Sequence, residues 1–365
     1  MPNHVFIQTA DVLQTYLERW GTRPWLAVDT EFVRVDTYYP KLCLVQIGDG
    51  ETSACIDAVT IKDLKPLFDL LNRKDILKVF HAASQDLEIF VELSGICPSP
   101  IFDTQTAATM LSLGDQMGYA ALVEKRCGVV LDKSLTRTDW SRRPLTAAEL
   151  DYAALDVHYL AEIYPVLREE LAAANRLAWL EEDCARACIA ENYLNDPADV
   201  WRRLKGLARL SPRAQVIAAA LAQWREVEAQ TRNRPRKWII EDDAIYRMAE
   251  RAPESLEQIE ALSVLPPKTF ARHGENLLEV ITHARTLEPR TLASDDRLEP
   301  TIKARVTKLQ ERLRAIATTL QVPPSMLAPR VDVEALALFG AEAQANVLKG
   351  WRRDVAGTEL LKLLA

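Results

Sequence analysis

Asp29-Thr30-Glu31 lies in a run of apolar and β-branched residues, 26–33, of the kind that forms strands. A strand repeats every two residues, so the two carboxylates leave the same face. Side by side in an apolar strand they repel each other and lose hydration, a cost that a cation or bound protons must offset. A third acid, Asp86, stands in His81-Ala82-Ala83-Ser84-Gln85-Asp86-Leu87-Glu88, where a buried strand gives way to a helix. Ser84 is the expected N-cap there, and an acid in the first turn complements the helix macrodipole. Tyr152 and Asp156 are four apart, on one face of a helix packed through Leu150, Ala153, Ala154, Val157 and Leu160. Each of these acids has an ordinary explanation alone: a solvated strand end, a dipole partner, a helix-rim aspartate beside a core tyrosine. Together they form an all-oxygen set without Cys, which suits hard divalent ions such as Mg²⁺ or Mn²⁺.

The elements around these residues alternate. Residues 26–33, 42–47 and 53–56 read as strands, the last two divided by the hairpin signal Gly48-Asp49-Gly50. A helix near 61–71, a buried strand 77–81, a helix from Ser84 and a short strand 101–103 follow. This order predicts an α/β N-terminal domain with a mixed sheet. Beyond about 167 the strand signals fade into helical periodicity, broken at Ser211-Pro212, Pro266-Pro267 and Pro323-Pro324. The predicted organisation is a domain at 1–167, a helical linker at 168–207, and all-α modules at 208–287 and 293–365.

Composition is that of an ordinary water-borne chain, 48% hydrophobic and 27% charged over 365 residues. No apolar run approaches the ~18–20 residues of a membrane span, and the first residues lack a secretory pattern. A cytoplasmic protein without membrane partners is expected. Six scattered cysteines form neither a disulfide framework nor a paired zinc motif. The net charge of −7 divides into −13 for residues 1–200 and +6 for 201–365. An acidic half joined to a basic half fits a protein that gathers carboxylates for metal and cations for a polyanion.

Asp-x-Glu on a strand, Asp at a helix start and Tyr-x-x-x-Asp on a later helix resemble the tyrosine-type DEDD exonucleases. The flanking residues narrow the resemblance to the ribonuclease D family: Asp29 to Arg34, Tyr38-Tyr39-Pro40, Leu42 to Gln46, His81 to Glu88, Asp103-Thr104-Gln105, and Leu131 to Ser134 through Thr138-Asp139-Trp140. The likeness runs over nearly the whole chain. It implies a ribonuclease H-like mixed sheet followed by two HRDC-type helical modules. It also implies a 3′→5′ exoribonuclease releasing nucleoside 5′-monophosphates, with two divalent cations, Mg or Mn, and no small-molecule organic cofactor. By the same resemblance Asp29 bridges both ions, Glu31 and Asp156 complete the ion that holds the attacking water, and Asp86 helps hold the leaving-group ion. Tyr152 orients the water; a phenol of pKa ~10 favours orientation over proton abstraction.

The implied partner is RNA with a free 3′ end, in particular tRNA precursors and other small structured RNAs. Glu31 is expected to touch the terminal ribose, with Phe32, His81 and Gln85 as pocket walls. Lys133, Arg137, Arg142 and Arg143 form a cationic stretch suited to phosphate. The run 232–238, four cations with Trp238, has the composition for backbone attraction and base stacking. Two other readings stay open. A DNA-directed exonuclease shares the same five residues, although the 38–46 segment favours RNA. A catalytically dead RNA-binding adaptor on the same fold is the second, although such proteins usually lose a metal acid and this chain keeps all four.

Overall fold

The computed structural model describes residues 4–132, 134–293 and 299–364. Six strands form one sheet: β1 (His4–Ile7), β2 (Trp25–Val33), β3 (Lys41–Gly48), β4 (Ser53–Asp57), β5 (Leu77–Phe80) and β6 (Ile101–Asp103), in the order β1-β4-β3-β2-β5-β6. β1 runs parallel to β4, and β2, β5 and β6 are parallel neighbours, while β3 and β4 are antiparallel. The sheet is therefore mixed, as expected. The Gly48-Asp49-Gly50 signal marks a true hairpin, with Gly48 opposite Ser53. Asp49 closes it by accepting the backbone N–H groups of Glu51 and Thr52.

Helices cover the sheet: α1 (Ala10–Trp20), α2 (Lys65–Leu71), α3 (Ser84–Ser94), α4 (Thr104–Met110), α5 (Tyr119–Cys127), α6 (Ala147–Ala173) and α7 (Leu177–Ala187). α1 begins at the cap Thr9 and buries Leu13, Leu17 and Trp20, one stripe at helical spacing. The long helix α6 packs on β2, β4 and β5. Its start is a capping box, in which Thr146 accepts from the Glu149 N–H and Glu149 accepts from the Thr146 N–H.

By packing the chain falls into two compact units. Unit 2 comprises Arg34–Lys41 and Leu194–Arg297. Its helices are α8 (Pro212–Thr231), α9 (Arg236–Ile239), α10 (Asp242–Arg251), α11 (Leu256–Ala261) and α12 (Pro267–Thr286). They enclose Ile217, Leu221, Ile245, Met248, Leu277 and Ile281, all essentially without exposure. The segment 34–41, which joins β2 to β3, belongs to this unit. Tyr38 donates its hydroxyl to Glu226, and Arg236 donates to the same carboxylate at 2.5 and 2.6 Å. Asn233 accepts from the Tyr38 and Tyr39 N–H groups, each at 3.0 Å.

Unit 1 comprises Met1–Val33, Leu42–Tyr193 and Leu298–Ala365. Its last part holds α13 (Pro300–Leu320), α14 (Pro324–Leu327), α15 (Arg330–Phe339) and further short turns. Leu309, Leu313, Leu327, Leu336 and Val347 belong to the same hydrophobic core as the sheet. This helical segment therefore shares its core with the sheet. Trp351, 5% exposed, stacks on Trp179 of α7 at 4.5 Å and 7° between planes.

Candidate active site

β2 presents Asp29 and Glu31, and α6 brings Asp156 to them. One carboxylate oxygen from each lies within 4.8 Å of the other two. Among the described residues no Lys, Arg or His pairs with any of them. Their electrostatics follow from that. Burial, with the Asp29, Asp156 and Asp86 charges added, pushes Glu31 up to about 10. Burial raises Asp156 to about 7, and burial plus Asp156 holds Asp29 well above the carboxylate range. Three acids crowded in low dielectric hold protons or take a cation. With four carboxylates and no thiolate at hand, the donor set fits a hard divalent ion.

Asp86, 7% exposed, stands outside that tight triplet. Thr30 of β2 donates its hydroxyl to it at 2.5 Å, and burial followed by the Asp29 charge raises its pKa well above normal. The turn that delivers Asp86 is not capped by Ser84. The cap position is Ala83, which has no capping side chain, and Ser84 is exposed. Asp103, at the end of β6, accepts the N–H groups of Ala82 and Ala83 at 3.3 and 3.0 Å. It also caps α4 through Gln105 and Thr106. Ala82 has φ 56°, a left-handed conformation costing roughly 1–2 kcal/mol that these charge-assisted bonds offset. The sequence shows Asp103 as a motif residue but not that it replaces Ser84, because its targets lie in the turn that follows β5, far along the chain.

Asp156 reaches the site because α6 sits very close to the sheet. A Cβ on Gly48 would lie 2.8 Å from the Val157 carbonyl oxygen, so only glycine allows that approach. Tyr119 of α5 donates its hydroxyl to the backbone carbonyls of Leu155 and Asp156, anchoring the helix from the other side. One turn earlier Tyr152 stacks on Trp140, 2% exposed, at 6.2 Å and 28°. Burial raises the Tyr152 phenol, and the Asp156, Glu31 and Asp29 charges add to it. It stays protonated at neutral pH. A cavity of about 210 Å³ opens against Tyr152 and Asp156, with Leu131, Leu135 and Leu155 as its apolar wall. Tyr119, Gly48 and this wall were not legible as site residues; all act through contacts distant in sequence.

The expected substrate contacts divide. Phe32 is half-buried against the core, and Gln85 is exposed. His81 shares a hydrogen bond with Thr104 at 2.9 Å and lies edge-on to Tyr119. Burial lowers its pKa, against the Asp103 charge and a hydrogen bond to the Met117 backbone, which raise it. Lys133 lies outside the described residues. Arg137 is exposed. Arg142 pairs with Glu149 at 2.7 Å and so supports the start of α6. The phosphate assignment of Arg143 is corrected: its guanidinium binds both oxygens of the buried Asp57, at 2.9 and 2.6 Å, and the carbonyls of Cys43 and Trp140. In the 232–238 run, Arg232, Arg234 and Arg236 pair with Glu228, Asp36 and Glu226, whereas Trp238 is 61% exposed.

Residues 4–172 match the family of 3′-5′ exonuclease domains, and residues 214–281 match the HRDC domain family. Ribonuclease D of Pseudomonas paraeruginosa is 37% identical over 371 residues, covering 100% of this chain and 98% of its own. Ribonuclease D of Jannaschia sp. is 39% identical, covering 98% and 94%. The crystal structure of Escherichia coli RNase D, an exoribonuclease involved in structured RNA processing, superposes with a TM-score of 0.91 at 32% identity, covering 99% of this chain and 98% of that one.

Proposed function

This chain belongs to the ribonuclease D family and is a 3′→5′ exoribonuclease; on that premise we propose that it trims tRNA precursors and other small structured RNAs, releasing nucleoside 5′-monophosphates with two Mg²⁺ or Mn²⁺ ions. Asp29, Glu31, Asp86 and Asp156 are proposed to hold the ions and Tyr152 to act beside them. The observation that carries this reading is the half-buried set of Asp29, Glu31 and Asp156 oxygens within 4.8 Å, with no side-chain cation pairing with them among the described residues. When bound, a divalent pair supplies Lewis-acid stabilisation of both the attacking and the leaving oxygen.

The chain's own residues would do the rest. Tyr152, kept a phenol by its surroundings, donates or accepts one hydrogen bond that fixes the direction of an attacking water. Trp140 holds the Tyr152 ring in place, and Tyr119 and Gly48 fix the depth of Asp156. The cavity beside Tyr152 and Asp156 gives the terminal nucleotide an apolar wall, and the exposed Arg137 is proposed as a phosphate contact. Phe32, His81 and Gln85 are proposed as further contacts to the 3′-terminal nucleotide.

The test is digestion of 5′-labelled RNA with a free 3′ hydroxyl, with and without added Mg²⁺ or Mn²⁺, beside a matched DNA strand. A ladder shortening from the 3′ end, chelator-sensitive and faster on RNA, is expected. Cleavage that persists in chelator would overturn the metal assignment, and equal rates on DNA would overturn the RNA preference.

A further inference from the structure

β3 carries a single amide in an otherwise apolar run, Leu42-Cys43-Leu44-Val45-Gln46-Ile47. Gln46 has no exposure, and among the described residues neither its Oε1 nor its Nε2 has a hydrogen-bond partner. A carboxamide buried in that way is costly, because it has given up water without gaining a bond in exchange. A methionine would fill the same space with no such cost. An orphaned amide in the middle of a sheet therefore calls for a partner that the fold places beside it.

Face and register identify that partner. Side chains alternate along a strand, so Gln46 leaves the same face as Gly48. That face looks at α6, since a Cβ on Gly48 would meet Val157. Gln46 also lies directly opposite Cys55 of β4, whose Sγ is 3.8 Å from the Leu150 carbonyl oxygen of α6. Gln46 is thus roofed by the stretch of α6 from Leu150 to Val157, which carries Asp156. On its other flank the sheet order sets β2 beside β3. Asp29 and Glu31 share the α6 face of β2, because their oxygens meet that of Asp156. One layer therefore holds an amide with its bonds unmade and three clustered carboxylates. Asp57, opposite Leu44 on the same face, is already engaged by Arg143, Thr60 and the Val59 N–H.

On the proposed reading of these acids as ion ligands, we infer that Gln46 is a positioning residue for them, donating its two Nε2 hydrogens to the carboxylates of Asp29 on the neighbouring strand and Asp156 on the helix above. A carboxylate that binds a cation with one lone pair is aimed by the hydrogen bonds its other lone pairs accept, and such outer partners set metal affinity. An amide suits this place better than an arginine. It donates two hydrogen bonds yet carries no charge, so it turns the acids without cancelling the field that draws in a cation. Gln46 acts only through the acids and touches no substrate atom.

The test is Gln46→Met in the full-length protein, which keeps the length of the side chain and removes its hydrogen bonds. Mn²⁺ binding is read without RNA, from loss of the free-ion paramagnetic resonance signal. Melting in chelator and steady-state turnover on labelled RNA are measured beside it. Mn²⁺ affinity should fall roughly 10- to 100-fold, with kcat reduced and KM for RNA unchanged. Tm in chelator should hold or rise, because an apolar group of like shape has replaced an unpaired amide. Unchanged Mn²⁺ affinity overturns the inference, whichever way Tm moves, and leaves the proposed function standing. Wild-type protein that binds no Mn²⁺ overturns both. If Gln46→Met does not fold, the wild-type side-chain amide decides by NMR. Its Nε2 hydrogen signals should move as Mg²⁺ is added, and signals that stay in place overturn the inference.

Discussion

Asp57 and Asp29 are acids on strands of one sheet, and their surroundings are opposite. Asp57 is fully buried, yet Arg143 grips both its oxygens and Thr60 adds backbone and hydroxyl donors. Burial alone would raise it, but the Arg143 and Thr60 bonds win and bring it to about 2. Asp183, between Arg352 and Arg186, and Glu226, beside Arg236 and Tyr38, follow the same rule and are lowered despite burial. Asp29, Glu31, Asp86 and Asp156 are all raised. At these three positions arginine neutralises the acid, whereas the buried Asp332 accepts the Val347 N–H instead. The carboxylates of β2, α3 and α6 differ in that no arginine pairs with them among the described residues, so protons or a cation from solution are left to compensate them.

The contrast can be broken from either side. The largest effect should come from Asp29→Asn, which removes one of the three clustered carboxylates. Turnover on RNA should fall at least ~10³-fold. Because one repelling charge is gone, Tm in chelator at pH 8 should hold or rise. A folded variant with near-normal turnover would place the metal site elsewhere.

Arg143→Met should convert Asp57 into the other kind of acid, buried without its cation. A loss of about 3 kcal/mol in denaturant unfolding is expected, with metal affinity nearly unchanged. Weakened metal binding with unchanged stability would reverse the assignment of Arg143. Tyr152→Phe should keep stability and metal binding while losing about 10²-fold in rate. Wild-type turnover would reassign Tyr152 to packing on Trp140.

The smallest effect is the most diagnostic, because the two sets respond oppositely to pH. Asp57 has a depressed folded pKa, so its contribution of about 2 kcal/mol is present above pH 4 and lost as pH falls toward 2. Asp156 and Glu31 have raised folded pKa values, so the native state holds their protons after the unfolded state has released them. Stability of the metal-free protein should therefore decline as pH rises from about 4 through 7 for Asp156 and onward toward 10 for Glu31. Added Mg²⁺ or Mn²⁺ should raise Tm more at pH 8 than at pH 5.5. A Tm gain independent of pH would mean that the ions bind elsewhere.

Much of the site was legible because its rules are local. Asp29 and Glu31 share a face by strand spacing, Tyr152 and Asp156 by helix spacing, and the hairpin at Gly48-Asp49-Gly50 needs only its own residues. The reading failed where a partner lies far along the chain. Arg143 looked like a surface cation because nothing near it announces Asp57, and Ser84 looked like a cap because Asp103 was not yet beside it. β1 is only four residues, too short for an alternation to stand out. α1 could have been found from Thr9 and the Leu13, Leu17, Trp20 stripe, and the capping box from Thr146 and Glu149. The core shared by the last helical segment and the sheet has no local signature at all.

Gly48 has a consequence beyond the close contact it permits. A helix moves as a stiff rod, so whatever lifts Val157 also lifts its neighbour Asp156. Metal sites tolerate errors of only about ±0.2 Å in ligand distance, far less than the displacement that relieving a 2.8 Å Cβ–oxygen approach demands. The glycine thus works as a depth gauge, ground to zero thickness, for one acid of the proposed ion site. The calibration of the enzyme rests partly on an atom that is not there, in a residue with no side chain to offer the substrate.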